Sequence, residues 1–490
     1  MALIRQSMLA ATSAIVLTIS RFALMAILSR RLSLDAFGQV AFAQWLVDIV
    51  FLFCSFGATA VASRYFAEFG NRPEALRALV SRWRPFALGL PALAGAATAI
   101  GNVSLRPQAA ATEHLFLAAW AAASGLWAMR TASLMGMQRF DLVLYGNGIA
   151  GAAMLAGALL LPSPLLGTAG AFAVLAIANM AGLAVSARAF FPAVSAERGE
   201  AVEIDWRSIA RYAMNMWFTS MLWSLVWSRG EWPYVKALLG DAGVAQYAAA
   251  TALFGGAVQG VMLSVAGIAP HLTRLWGEQR IDEALRTARR VMDMQLVLAT
   301  GAAAVLIVLG AGMLRLGFGS AFGGGTQALA MLALGLPALA WSSHNFLLQL
   351  RTDARFNRDS TLLGLAVLYL LSAWLVPASG IAGAALSRAA TMLLMGAMSL
   401  AISVRVWGMR AIPWRNLGIV VLLLGTLETA LWFWPEAPWA ARVAALVAAV
   451  VILVIGVRDD DGRGPLAWAL QVIGRLGLSA RIHADKGASA

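Results

Sequence analysis

The sequence predicts an all-α, polytopic membrane protein of about fourteen transmembrane helices, built as two parallel-repeat six-helix lobes plus a C-terminal two-helix hairpin. Three observations predict it. Apolar residues fill 60% of the 490 positions and charged residues only 12%, where soluble domains carry about 25% charged residues. Arg and Lys gather in short clusters between long apolar runs instead of covering one face, the pattern by which a membrane protein fixes its orientation. Short motifs in the first half recur, in the same order, 205 to 216 residues further on.

A spanning helix needs about 20 apolar residues. Such runs lie at 8–28, 41–63, 85–103, 115–134, 142–161, 168–187, 212–232, 244–268, 292–314, 328–350, 360–377, 380–403, 416–434 and 438–457. The first follows Arg5 as a signal peptide would. It is longer than a signal-peptide core, contains Arg21 and lacks a small-x-small cleavage site, so it reads as a spanning helix. With the N-terminus cytosolic, the cytosolic side collects 28 Arg and Lys and the opposite side six, counting Arg130 and Arg229 with the loops their helix ends adjoin. Arg21, Arg388 and Arg442 fall inside spans. An even helix count then puts both termini in the cytosol. The predicted organisation is a six-helix lobe over 1–190, a cytosolic linker over 191–210 and a second lobe over 211–403. A two-helix hairpin over 404–457 and a cytosolic tail over 458–490 complete it. In the tail, Pro465–Leu478 is apolar enough to lie along a membrane surface.

Net charge +13 would suggest nucleic acid if it covered one soluble face. It is spread among membrane loops, so no nucleic-acid partner is expected. The lone cysteine, Cys54, excludes an intramolecular disulfide, and four scattered His give no metal-ligand spacing. No cofactor or metal is expected. A membrane-embedded enzyme is the alternative of another class. Such enzymes generally need a sizeable extramembrane domain, and no trans-side loop here is long enough. Asp459-Asp460-Asp461 reads as a solvated charge run, so the chain is not expected to be an enzyme.

The repeat rests on three matches. Gly167-Thr168-Ala169-Gly170-Ala171 echoes Gly380-Ile381-Ala382-Gly383-Ala384, and Arg139-Phe140 echoes Arg355-Phe356. Ala36 to Phe42 echoes Ala242 to Tyr247. Six helices separate the copies, so both cross the membrane in the same direction, about an axis along its normal.

These residues also resemble a known family. Leu34-Asp35-Ala36-Phe37-Gly38, Phe56-Gly57 with Ser63-Arg64, Gly136-Met137-Gln138-Arg139-Phe140, Pro270 to Trp276 and Pro377 to Ala385 look like the polysaccharide-transport branch of the multidrug/oligosaccharidyl-lipid/polysaccharide flippases. That branch includes the O-antigen and exopolysaccharide repeat-unit flippases. The resemblance implies an alternating-access bundle in the bacterial inner membrane that flips undecaprenyl-diphosphate-linked oligosaccharide, coupled to an ion gradient. Its implied partners are that polyprenyl-diphosphate-linked oligosaccharide, membrane lipids and other polysaccharide-assembly proteins. A multidrug/cation antiporter and a peptidoglycan-precursor flippase of the same superfamily stay open as alternatives, and the enzyme alternative is a membrane-embedded polysaccharide polymerase, ligase or polyprenyl-dependent glycosyltransferase.

A diphosphate headgroup needs a wet, cationic path, and Arg matches phosphate oxygens with a planar fork of donors. Arg21, Arg229 and Arg388 are therefore the candidate substrate-binding residues, expected to line one cavity. Asp48, Glu231 and Glu428 are the candidate ion-coupling groups or charge partners. A charge at mid-bilayer costs at least ~2.5 kcal/mol on insertion scales, which favours a cavity or a partner. Both readings stay open for Arg21 and Asp48, at matching depth on neighbouring helices. Arg229 and Glu231 also suit the membrane interface, and Glu428 lies outside the two lobes. Asn147, Asn179, Asn215, Gln259, His344 and Asn345 suit interhelical hydrogen bonding. Trp217, Trp223 and Trp227 are candidates for stacking on sugar.

Overall fold

The computed structural model describes residues 2–70, 72–194, 204–227, 229–263, 268–352, 355–409, 412–433 and 437–457. Among them are helices and turns and no strand. This is the expected economy of a chain in lipid, where every backbone N–H and C=O must find its partner within its own segment.

Each of the fourteen predicted spans meets helical structure. The first six correspond to α1 (Ala2–Arg31), α2 with α3 (Leu34–Cys54, Ala58–Glu68), α4 (Pro73–Leu105), α5 (Ala111–Gly136), α6 (Phe140–Leu160) and α8 (Thr168–Val194). A single turn, α7 (Ser163–Leu166), stands before α8. The next are α9 (Trp206–Trp227), α10 (Trp232–Leu263) with α11 (Ile268–Gly277), and α12 (Ile281–Phe318). The tenth span is built from α13 (Thr326–Ala333), a 3₁₀ segment Leu336–Trp341 and α14 (Ser342–Thr352). The eleventh and twelfth share α15 (Arg355–Trp407), and α16 (Trp414–Phe433) and α17 (Trp439–Gly456) form the last two. Nine stretches of the described residues are long and apolar enough to cross a bilayer by themselves.

The order of elements repeats. The starts of α3, α4, α5 and α6 recur at the starts of α11, α12, α13 and α15, at offsets of 210, 208, 215 and 215 residues. The two Gly-Ala echoes have one physical reason. A Cβ on Gly170 would stand 2.0 Å from the Leu165 carbonyl oxygen, and one on Gly383 would stand 2.0 Å from that of Leu375. In both copies the chain doubles back so tightly that only glycine fits.

Two expectations need correction. The second span, expected to be one helix over 41–63, breaks at Phe56 and Gly57, whose φ values are 45° and 75°. The apolar run is continuous there, so hydropathy does not register the break. The span expected at 212–232 ends at Trp227, and Arg229, with φ 76°, stands in the turn before α10. Spans eleven and twelve are two helices, as expected, and Gly380, with φ 60° and ψ −136°, breaks the helical backbone between them. The Pro465–Leu478 segment and residues 195–203 of the linker lie outside the described residues.

By contacts the chain divides into two compact units. One comprises residues 1–249 with 315–323, and the other 250–314 with 324–490. Within the first, α6 packs on α1 and α8, and α5 packs on α3, α4 and α8. The end of α1 is tied to two helix C-termini. Arg31 donates to the carbonyls of Ala158, Leu159 and Leu161 at the end of α6. Ser29 donates to the Phe318 carbonyl at 3.0 Å and Arg30 to that of Leu316. Phe22, Phe37, Phe318 and Phe322 close around this junction with edge-to-face ring contacts. Within the second unit, α13, the 3₁₀ segment and α14 pack on α15. Asn416 donates to Asp293 at 2.7 Å, joining α16 to α12.

Candidate functional site

The first unit holds a small cavity among α1, α2, α5, α6 and α8. Leu17, Arg21, Leu24 and Met25 reach it from α1, since positions three, four and seven or eight apart share one helix face. Gln44 and Asp48, four apart on α2, reach it by the same rule. Ser124 and Trp127 come from α5 and Asn179 from α8. Arg21 and Asp48 both keep exposed surface. The cavity measures ≈ 30 Å³, two to three times the ~10–15 Å³ that one ordered water requires. It can hold water or a small cation beside Asp48. It cannot hold a sugar.

The structure brings three of the six predicted residues within electrostatic reach of one another. Arg21 and Arg229 are the two cations whose charges act on Asp48. Arg229 also lies over the Trp232 ring, 4.8 Å from its centroid, and stands in the turn between α9 and α10.

The other three have different surroundings. Glu231 is fully buried and accepts a hydrogen bond from the Tyr247 hydroxyl at 2.7 Å. Arg388 belongs to the second unit, on α15, where it is 8% exposed and stands 5.4 Å from the centroid of the Phe254 ring. Glu428, half-buried on α16, also belongs to the second unit.

Of two predicted polar groups, one acts between helices. Asn147 accepts from the Trp127 indole at 3.2 Å and donates to Ser13 at 2.9 Å, tying α5, α6 and α1 together. Asn179 donates to the Leu175 carbonyl within its own helix. Trp217 donates to the carbonyls of Leu52 and Phe53, at 3.2 and 3.1 Å, which the break after α2 has freed from the helix ladder. Trp223 and Trp227 stack on each other at 5.1 Å.

Sequence reasoning missed one polar cluster. Asp241, just past the bend at Gly240, pairs with Lys236 and accepts from Gln39 of α2 at 3.3 Å. A Cβ on Gly38 would lie 2.0 Å from the Asp241 carbonyl oxygen, so the two helical segments touch at their backbones. Lys236 also stands 5.7 Å from the Phe42 ring centroid. The signal was available: Lys236 is one of only two lysines.

The first unit is a bundle of broken, repeated apolar helices around a small cavity that carries one guanidinium and one carboxylate. The profile of the family described as "Polysaccharide biosynthesis protein" matches residues 4–276, and the chain belongs to that family. No curated protein sequence matches it. Among solved structures it is similar to "Lipid II flippase MurJ, inward closed conformation". The TM-score is 0.66 and the identity 12%, covering 90% of this chain and 97% of that one. An inward-facing multidrug resistance MATE family transporter of the MOP superfamily gives a TM-score of 0.64 at 13% identity, covering 81% and 94%. A Vibrio cholerae MATE transporter, the VcmN D35N mutant, gives 0.56 at 15% identity, covering 82% and 96%. These neighbours are flippases and transporters, and the likeness is one of fold.

Proposed function

We propose that this protein flips undecaprenyl-diphosphate-linked oligosaccharide repeat units from the cytosolic to the periplasmic leaflet of the bacterial inner membrane. The units would serve O-antigen or exopolysaccharide assembly. The observation that carries the reading is Arg21 and Asp48 lining one small cavity, with the charge of Arg229 also acting on Asp48, in an apolar helical unit of a polysaccharide-biosynthesis chain. Arg21, Arg229 and Arg388 bind the diphosphate, for which a guanidinium supplies paired donors. Asp48 takes up the coupling cation, because its cavity suits an ion and excludes a sugar. The lobes at 1–190 and 211–403 are the alternating bodies.

The test is polymer export in a strain lacking its own copy of the gene, at matched protein levels. Arg388→Ala should lower export about tenfold or more, the scale of a lost charge-assisted hydrogen bond. Arg388→Lys should retain part of it, since charge survives and fork geometry does not. Lipid-linked repeat units should accumulate on the cytosolic leaflet. Wild-type export from the Arg21, Arg229 and Arg388 Ala variants would remove the assignment. Rescue of a strain lacking its lipid II flippase would move the substrate to a peptidoglycan precursor.

A further inference from the structure

A second cavity in the first unit, ≈ 290 Å³, has a lining that is almost entirely apolar. It lies where the α2–α3 break, α4 and α9 meet, with Phe56, Val61, Trp83, Leu90, Ile209 and Met214 among its walls. Nothing in the proposed transport cycle uses it. Its size is near the lower end for ligand pockets, and its shape is open on one side.

Three features give the cavity a chemical direction. Arg82 lines its rim and is exposed, held 5.1 Å from the centroid of the Trp206 ring. Arg207 and Arg211, both exposed, flank that rim on α9, and the acid beside them, Asp205, is engaged in capping the helix. Trp83 is 9% exposed, and its indole N–H has no acceptor among the described residues. A buried donor without an acceptor is costly. It marks a place where an acceptor belongs.

The position along α4 fits a membrane interface. Arg82, Trp83 and Arg84 stand where the polar first turns of the helix give way to Phe86 and the apolar run beyond. Indole rings settle at this level, between headgroup and hydrocarbon. Here a glycerolipid carries its ester carbonyls, with phosphate above them and acyl chain below. A polyprenyl phosphate offers phosphate and hydrocarbon but no carbonyl in between.

We propose that this cavity is a binding site for one acyl chain of an anionic glycerophospholipid. Its ester carbonyl accepts from the Trp83 indole, and its phosphate sits against Arg82. The bound lipid fills the gap left where α2 breaks and α9 crosses the break.

The test is native mass spectrometry of the purified full-length protein, titrated with palmitoyl-oleoyl phosphatidylglycerol, the matched phosphatidylcholine and undecaprenyl monophosphate. Wild type should bind phosphatidylglycerol more tightly than phosphatidylcholine. Trp83→Phe keeps the ring and removes the donor, and should weaken phosphatidylglycerol binding about threefold to tenfold. Arg82→Gln should narrow the preference over phosphatidylcholine. Ala210→Phe, which projects into the cavity, should abolish the tight site. If Trp83→Phe folds poorly, the Arg82 and Ala210 variants decide the outcome. Equal binding of both phospholipids to wild type overturns the proposal, as does wild-type binding by all three variants. Displacement of phosphatidylglycerol by undecaprenyl monophosphate, with an affinity that Trp83→Phe leaves unchanged, identifies a polyprenyl chain as the occupant and overturns it too.

Discussion

At the scale of the residue, Asp48 is the pivot of the candidate site. It shares a cavity with room for water with Arg21, and the charges of Arg21 and Arg229 both act on it. If Arg21 and Asp48 serve mainly to neutralise each other, removing either alone strands a charge in the membrane and removing both does less harm. If they serve transport, the double variant folds and exports nothing. The expected result is a combination. Asp48→Ala should lower the yield of folded protein, and Arg21→Ala/Asp48→Ala should restore it while export stays lost. Size-exclusion profiles and polymer export, measured on the same cells, separate the two contributions. Each of these charges was legible in the sequence, because an ionised side chain inside an apolar run stands out against its cost. Their grouping was less so. Matching depth paired Arg21 with Asp48, but Arg229 joins them through a turn where a continuous helix was expected.

At the scale of the element, the break between α2 and α3 is a built feature. Gly57 takes φ 75°, and a Cβ there would meet the Ala213 carbonyl oxygen at 2.1 Å. The carbonyls the break exposes are claimed by the Trp217 indole, and Phe56 stacks on the same ring at 5.5 Å. Gly57→Ala should therefore cost about 1–2 kcal/mol from the left-handed backbone alone, with the clash against α9 added. A fall in the thermal midpoint of the purified protein measures it. Trp217→Phe keeps the stacking and drops the donor, so it should destabilise by about 1–3 kcal/mol by the same assay. Hydropathy sees only the average polarity of a stretch, which does not change where the backbone turns. That is why the apolar run over 41–63 read as one helix. The Gly-Ala echoes were legible for the opposite reason, since close backbone approach is written in glycine itself.

At the scale of the whole molecule, the repeat in element order makes orientation a strong prediction. With the same direction in both halves and the positive charge on one side, a reporter fused at Gly277 should read cytosolic. One fused at Gly323 should read periplasmic. A periplasmic signal at Gly277 would break the fourteen-span topology. The positions of the apolar helices were legible because membrane thickness sets a length that any apolar run must meet. The grouping of residues 315–323 with the first 249 was not, because a contact between distant segments leaves no periodicity behind.

That grouping bears on how the protein is made. Ser29 and Arg30 find their acceptors 289 and 286 residues further along the chain, whereas the α6 carbonyls that satisfy Arg31 follow after 127 to 130. At about 5–20 residues per second of synthesis, the first wait is on the order of 15 to 60 seconds and the second less than half of that. The first helix thus enters the membrane early and finishes late. For most of translation, the guanidinium of Arg30 has only headgroups, water or a chaperone to satisfy it. A chain stopped before Leu316 would carry that unmet demand permanently, and quality-control proteases should clear it faster than one stopped just after Gly323.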